Sequence, residues 1–229
     1  MVPRHIYKII FVSATCVVAG CGSPQDPDPT PTSPPAPIPP GSYTIIDLRQ
    51  SIDILRTKKQ FGVFRNEEDP KIQWIEEADT QVQLADGKST NALKLHYEVP
   101  TSGTYNGWWM KLNDADWSEH ENSNLVLRLR LGPGCTDVFK LELKTNPGQM
   151  IHAAYVRIDD AQKATMEETG FCDVEVSIKD MVFDAANLSK MHELVIVFEN
   201  TRIEKDRQKG DLIIHSIRLS PGADGADEG

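Results

Sequence analysis

The sequence predicts an all-β domain built as a sandwich or barrel of short strands. Three observations carry this. Apolar residues recur at every second position over short stretches, turn dipeptides separate those stretches, and no long amphipathic helical pattern intervenes. The last point argues against a βαβ order, which needs a helix between parallel strands. The chain has 229 residues, and its formal net charge is −10, from 24 basic and 34 acidic side chains. A balance of that sign argues against a nucleic-acid partner, because phosphate binding needs a clustered basic surface.

Taken in order, the chain begins with residues 1–20, which read as an export signal. Arg4 and Lys8 precede an apolar stretch from Ile9 to Val18, too short for a helix across a hydrocarbon layer of roughly 30 Å. Val18-Ala19-Gly20-Cys21 resembles the lipobox of bacterial lipoproteins. The resemblance implies cleavage before Cys21 and acylation of that residue, so that the protein meets the membrane through a lipid anchor. Each buried methylene contributes about 0.8 kcal/mol, and two or more chains hold stably. Gly22 stands where an aspartate would resemble the inner-membrane retention signal, so an exported, outer-membrane location is expected. Residues 21–42 form the lipidated cysteine and a linker with nine prolines between positions 22 and 40. Prolines lack an N–H and fix φ, so this tether should be extended, with a reach on the order of 60 Å at about 3.1 Å per residue.

The β-sandwich domain is expected over 43–220. Leu93, Leu95, Tyr97 and Val99 share one face of a strand, and Leu125, Leu127, Leu129 and Leu131 share one face of another. Phe139, Leu141 and Leu143 repeat the pattern, followed by Val174, Val176 and Ile178, then Leu194–Phe198 and Leu212–Leu219. Asp86-Gly87, Gly132-Pro133-Gly134 and Pro147-Gly148 punctuate them as turns. Short helical turns are expected at 161–169 and 185–191, and the acidic Gly-Ala tail, 221–229, should be disordered.

The order Asn91-Ala-Leu-Lys-Leu-His-Tyr97, Tyr105-Asn-Gly-Trp-Trp109, Asp114-Ala-Asp-Trp-Ser118 and then Leu125–Leu131, closing on Gly210–Leu219, resembles jelly-roll sandwiches with a galactose-binding-domain-like fold. It is similar to family 11 carbohydrate-binding modules and to the complex I intermediate-associated protein family. The resemblance implies a jelly-roll β-sandwich and a polysaccharide or oligosaccharide partner. Those families usually carry an acidic pair near the middle of the last strand, where this chain has His215-Ser216. That departure counts against the structural calcium the resemblance would otherwise imply, and no cofactor or metal is expected.

With Cys16 in the signal and Cys21 taken by lipid, Cys135 and Cys172 remain. Export permits disulfides. If the strand ending at Leu131 neighbours the one opening at Cys172, the two could approach within the roughly 4.4–6.8 Å that a bridge needs. A Cys135–Cys172 disulfide is the expectation, and two buried thiols the alternative.

No phosphate loop and no nucleophile elbow occur. His192-Glu193 begins like a zinc-protease helix, but position 196 is isoleucine. Asp159-Asp160 and Glu167-Glu168 fall in polar connections and read as solvated charge rather than as a glycosidase pair. An enzyme is therefore not expected. Sugar recognition needs aromatic faces for stacking and planar polar groups for hydroxyls. Strand parity puts Arg128, Arg130, Lys140, Glu142, Tyr155 and Arg157 on a face turned away from the core. The same residues could instead form a cross-strand ladder of ion pairs. Trp108 shares its parity with Met110 and Leu112, so it should be buried, leaving Trp109 as the stacking platform; Trp117 should pack internally, and His96, His152 and His215 are dispersed. Two functions fit: a surface-displayed, non-catalytic glycan-binding module, or an assembly lipoprotein whose sandwich contacts another envelope protein.

Overall fold

The computed structural model describes residues 42–48, 58, 60–145, 151–181 and 185–222. The signal segment, Cys16, Cys21, the proline-rich tether, the Pro147-Gly148 turn and the tail from residue 223 lie outside them.

Among the described residues eleven strands follow one another: β1 (Tyr43–Asp47), β2 (Phe61–Arg65), β3 (Trp74–Gln83), β4 (Ser89–Glu98), β5 (Tyr105–Ala115), β6 (Ser123–Leu131), β7 (Val138–Lys144), β8 (Ile151–Arg157), β9 (Cys172–Ser177), β10 (Met191–Glu199) and β11 (Lys209–Pro221). They form two antiparallel sheets. The six-stranded sheet runs β3-β4-β11-β6-β9, with β1 added to β11, and the five-stranded sheet runs β2-β5-β10-β7-β8. The chain crosses repeatedly between sheets, which is the jelly-roll β-sandwich arrangement. Such connections need non-local pairing, so each strand must be specified by its own pattern of burial.

The alternating residues do that. Leu93, Leu95 and Tyr97 of β4, Leu125, Leu127 and Leu129 of β6, and Leu212, Ile214, Ile217 and Leu219 of β11 are buried between the sheets. Opposite them lie Trp108 and Met110 of β5, Phe139, Leu141 and Leu143 of β7, and Leu194, Ile196 and Phe198 of β10. In β11 the inward residues step from Ile214 to Ile217, because a bulge at His215 shifts the register. The bulge occupies the place of the missing acidic pair. Trp117 is buried as well; its N–H donates to the Leu188 carbonyl at 2.8 Å, while the Asp116 carboxylate accepts from the Ser118 N–H at 2.9 Å.

Two elements differ from the sequence pattern in an instructive way. β3 carries no alternation, since it is an edge strand whose two apolar anchors face opposite ways: Ile75 enters the main core, and Val82 joins Ala92 and Phe171 in a satellite cluster. Ile178 does not extend β9 but opens the short helix α2 (Ile178–Met181). The longer helix, α1 (Asp160–Thr169), falls where a helical turn is expected. Its capping box pairs Asp159 with Gln162, and Gly170 closes it at φ 95°.

Cys135 and Cys172 are both free and buried, so the expected disulfide is corrected. β6 and β9 are indeed antiparallel neighbours, with Leu129 opposite Cys172. The chain leaving β6, however, turns to the other side, toward β11. A Cβ on Gly210 would lie 2.5 Å from the Cys135 backbone, and β11 and β9 flank β6 on opposite edges. Burial pushes the Cys135 thiol up to about 12 and that of Cys172 to about 11, from an ordinary value of 9.0.

Both thiols should therefore resist alkylation in the native protein at neutral pH and react on unfolding, as peptide mass mapping would record; a linked Cys135–Cys172 peptide would contradict this. The sign for stability follows. With folded values raised, their contribution is complete below pH 9.0 and is lost as pH rises through about 11 and 12. The thermal midpoint should fall in that alkaline range, and replacing both cysteines by alanine should lessen the fall.

Candidate functional site

The outer face of the five-stranded sheet gathers most of the aromatic and polar groups that the pattern points to. Register aligns them in rows. One row runs Gly62, Trp109, Val195, Glu142 and Ala153, and the next runs Phe64, Gly107, Val197, Lys140 and Tyr155.

Two features of the first strands shape this face. Trp109 is opposite Gly62, and Phe64 is opposite Gly107. A Cβ on Gly62 would lie 3.2 Å from the Trp109 indole, and one on Gly107 would lie 2.7 Å from the Phe64 ring. Each aromatic side chain thus folds across the neighbouring strand and lies over a glycine, where a larger residue would lift it. Glycine inside a strand gives up packing and costs backbone entropy; here it leaves the space in which a ring lies against the sheet. Trp109 and Phe64 are both half-buried, which fits rings laid down with one side against the backbone. The Lys111 ammonium stands 6.0 Å from the Trp109 ring.

Beyond these rings lies a set of ion pairs. Lys140 reaches Glu142 at 2.8 Å and Glu199 at 3.4 Å, and Lys144 reaches Glu193 at 3.3 Å. Burial works against the Lys140 charge, but hydrogen bonding and attraction to Glu142 and Glu199 outweigh it and hold its pKa above the usual lysine value. The Tyr155 hydroxyl donates to Glu199 at 2.7 Å, and the Arg202 guanidinium stacks 4.8 Å over its ring. Tyr155 remains 47% exposed. Arg157 projects further, its side chain 73% exposed and 4.0 Å from Asp137. Burial would raise the Asp137 pKa, but the hydrogen bond and charge of Lys163, with Arg207 and Arg157, hold it below the usual carboxylate range.

Lys140, Glu142, Tyr155, Arg157 and Trp109 therefore share one face, as parity requires. Arg128 and Arg130 do not, and their assignment to that face is corrected: they belong to β6, on the opposite sheet. Parity says which side of a strand a residue occupies, but not which sheet the strand joins. Arg128 pairs with Asp173 at 3.3 Å, beside Arg218 on the same carboxylate at 2.8 Å, and lies 5.9 Å over Phe171. Here the ladder alternative describes the arrangement.

His96, His152 and His215 sit on three strands and are not brought together. His96 bridges Asp211 at 2.6 Å and Glu98 at 3.3 Å, and His215 lies 3.3 Å from the Thr90 hydroxyl. His152 is buried on the core side of β8. Among the described residues no cluster of three or more His, Cys, Asp or Glu side chains could hold a metal ion. The Asp159 carboxylate is used as a helix cap, accepting from the Gln162 N–H at 2.7 Å.

Sequence reasoning missed Phe64, Gly62, Gly107, Glu199 and Arg202. A signal for the first three is present: a glycine in an apolar strand pattern, beside aromatic residues, marks close approach of another group. Glu199 and Arg202 come from the end of β10 and the turn after it, and no local pattern points to them.

Among solved structures, the domain is similar to the family 11 carbohydrate-binding module from Clostridium thermocellum in complex with a β-1,3-1,4-mixed-linked tetrasaccharide, at 12% identity over 79% of this chain and 96% of that one, with a TM-score of 0.50. It is likewise similar to the family 11 module of the cellulosomal cellulase Lic26A-Cel5E of Clostridium thermocellum, at 14% identity over 79% and 95%, with a TM-score of 0.51. No family model and no curated protein matches the sequence. At these identities the likeness defines the fold: a jelly-roll β-sandwich of the kind carbohydrate-binding modules have.

The glycines give a direct test of the aromatic face. Gly107→Ala should destabilise the domain by about 1–3 kcal/mol, because its Cβ would meet the Ile196 carbonyl oxygen at 2.2 Å as well as the Phe64 ring. Gly62→Ala, with a looser contact, should cost less, and thermal unfolding of the two variants would rank them.

Proposed function

We propose that this protein is a non-catalytic glycan-binding lipoprotein, held at the cell envelope through Cys21 and lifted from the membrane by its proline-rich tether. The ligand lies on the outer face of the five-stranded sheet. The observation that carries the reading is the pair of half-buried rings packed against glycines, Trp109 at Gly62 and Phe64 at Gly107. A flat ring suits the C–H face of a pyranose, and a half-buried one loses little side-chain entropy on binding. Next to the rings stand Lys140, Glu199 and Tyr155, whose positions are fixed by one another and by the buried Glu142 beneath them. They offer hydroxyl groups both donors and acceptors without reorganisation, which lowers the cost of binding. Charges of both signs interleave on this face, which favours a neutral sugar chain. The fold shared with modules that include one solved with a mixed-linked tetrasaccharide adds support.

Binding is tested with soluble neutral β-glucan oligosaccharides by titration calorimetry. Trp109→Ala should weaken binding by about five- to tenfold, the loss of a stacking contact of about 1–1.5 kcal/mol. The Tyr155→Ala, Arg157→Ala double variant should weaken it too, while costing about 1–2 kcal/mol of stability, mostly through the Tyr155 contacts with Glu199 and Arg202. Unchanged affinity in both variants would place any ligand elsewhere.

Anchoring is tested separately. Cys21→Ser should release the protein from membranes and Cys16→Ser should not. Retention of the Cys21 variant after a high-salt wash, which removes electrostatic adsorption, would refute lipid attachment there.

A further inference from the structure

Among the described residues three large apolar side chains are exposed: Tyr43, Tyr105 and Tyr155. Two of them stand at one end of the outer face of the five-stranded sheet. Tyr105 opens β5 and has the parity of Gly107 and Trp109. Register sets it opposite Glu199, the carboxylate that accepts from the Tyr155 hydroxyl. Asn66 fixes the Tyr105 backbone: its side-chain oxygen accepts from the Tyr105 N–H at 2.8 Å, and its own N–H donates to the Tyr105 carbonyl at 3.1 Å. Tyr105 therefore adds an aromatic residue in a third row, beyond the rows of Trp109 and Phe64.

The rings of these three rows keep to one pair of strands. Trp109 leans from β5 toward Gly62 of β2, and Phe64 leans from β2 toward Gly107 of β5. The ring atoms that a Cβ on Gly107 would meet at 2.7 Å are Cε1 and Cζ, at the tip of Phe64. Gly107 lies midway between Trp109 and Tyr105 on β5, so the Phe64 ring fills the gap between them. The three form a strip of aromatic surface along β5, about 13 Å from the Trp109 Cα to the Tyr105 Cα at about 3.4 Å per residue. Across the sheet the character changes. Val195 and Val197 of β10 are buried, and Lys140 and Glu142 beyond them are committed to ion pairs. At the far side, Arg202 already occupies one face of the Tyr155 ring at 4.8 Å, closer than Lys111 comes to Trp109 at 6.0 Å, and the Tyr155 hydroxyl is engaged by Glu199. Tyr105 is 43% exposed, with no cation or ring against it and no partner for its hydroxyl among the described residues.

Resting on the reading of this face as a glycan site, we propose that the sugar chain lies along β5, parallel to the strand, with Trp109, Phe64 and Tyr105 as successive stacking platforms. A strip of rings in line suits a linear neutral glycan, which can set several pyranose units against it in turn. Glu199, opposite Tyr105, accepts from hydroxyls of the unit stacked there, and the free Tyr105 hydroxyl supplies one more donor and acceptor. Tyr155 is then a positioning residue. Its hydroxyl holds one Glu199 oxygen at 2.7 Å while the Lys140 ammonium holds the other at 3.4 Å, so the carboxylate stays beside Tyr105 without a sugar ring on Tyr155 itself.

The test titrates the full-length protein with a linear neutral β-glucan hexasaccharide by calorimetry. Tyr105→Ala should weaken binding about five- to tenfold, as Trp109→Ala does, whereas Tyr105→Phe should keep most of the affinity because stacking needs the ring. Tyr155→Phe keeps its ring but releases Glu199, and should weaken binding as much as Tyr155→Ala, about threefold. In the unaltered protein, amide shifts caused by the hexasaccharide should concentrate on β2 and β5. Unchanged affinity in Tyr105→Ala while Trp109→Ala weakens binding would overturn this proposal alone. So would full affinity in Tyr155→Phe beside a loss in Tyr155→Ala, or amide shifts that run across the sheet to β7 and β8. Absence of hexasaccharide binding, or no effect of Trp109→Ala either, would overturn the glycan site itself and this inference with it.

Discussion

The buried phenol of Tyr97 is the interaction on which the sandwich depends. Its ring, from β4 of one sheet, stacks on Phe198, from β10 of the other, with centroids 4.0 Å apart and planes 9° apart. Its hydroxyl accepts from the Thr136 N–H at 2.7 Å and donates to the Arg207 carbonyl at 2.9 Å. One side chain therefore ties together both sheets, the connection from β6 to β7 and the connection from β10 to β11. Burial, reinforced by nearby Cys135, pushes its ionisation well above the usual tyrosine range, so the phenol remains neutral and the pair of hydrogen bonds persists. A buried polar group that is satisfied on both sides specifies a unique arrangement, while one left unsatisfied would cost about 1–3 kcal/mol.

That junction reaches the candidate face through register. Thr136 begins the path into β7, and β7 lies between β10 and β8. Once β7 is fixed against β10, Lys140 falls beside Val197 and Tyr155, and Glu142 beside Val195. A slip of one residue would send Lys140 and Glu142 into the core and bring Leu141 out. Burying unpaired charge is costly enough to forbid it. The ion pairs on the face are thus positioned by the core beneath them. The more exposed of them, such as Lys144 with Glu193, contribute little to stability. Their use is to hold donors and acceptors still.

The sandwich was legible because its central strands are amphipathic with period two. Leu125, Leu127 and Leu129 could be placed inward, and Trp108 inward with Trp109 outward, from parity alone. The bulge in β11 was not read from the sequence, where Leu212–Leu219 stood as one strand; it follows from pairing with β6. Edge strands were less legible. β3 contributes Ile75 and Val82 to different clusters, so no periodic signal survives. Pairing between sequence-distant residues was not legible. Arg128 and Arg130 have the same parity as Lys140 and Tyr155, yet β6 and β7 enter different sheets. Cys135 and Cys172 come from neighbouring elements, yet the turn after Leu131 carries Cys135 toward Gly210.

The sequence by itself determined the central strands, the side of each that is buried, the turns that separate them, and the two tryptophans' opposite roles. These follow from local periodicity and stereochemistry, which act within a few residues. Only the tertiary structure decided which strands share a sheet, and with that which polar groups share a face. It laid Trp109 over Gly62 and Phe64 over Gly107, brought Glu199 and Arg202 to Tyr155, and set Arg128 on Asp173 beside Arg218. The physical reason is that a strand's pattern fixes its inward side but carries no record of its neighbours. Those are chosen by how the two inner faces pack against one another across the core.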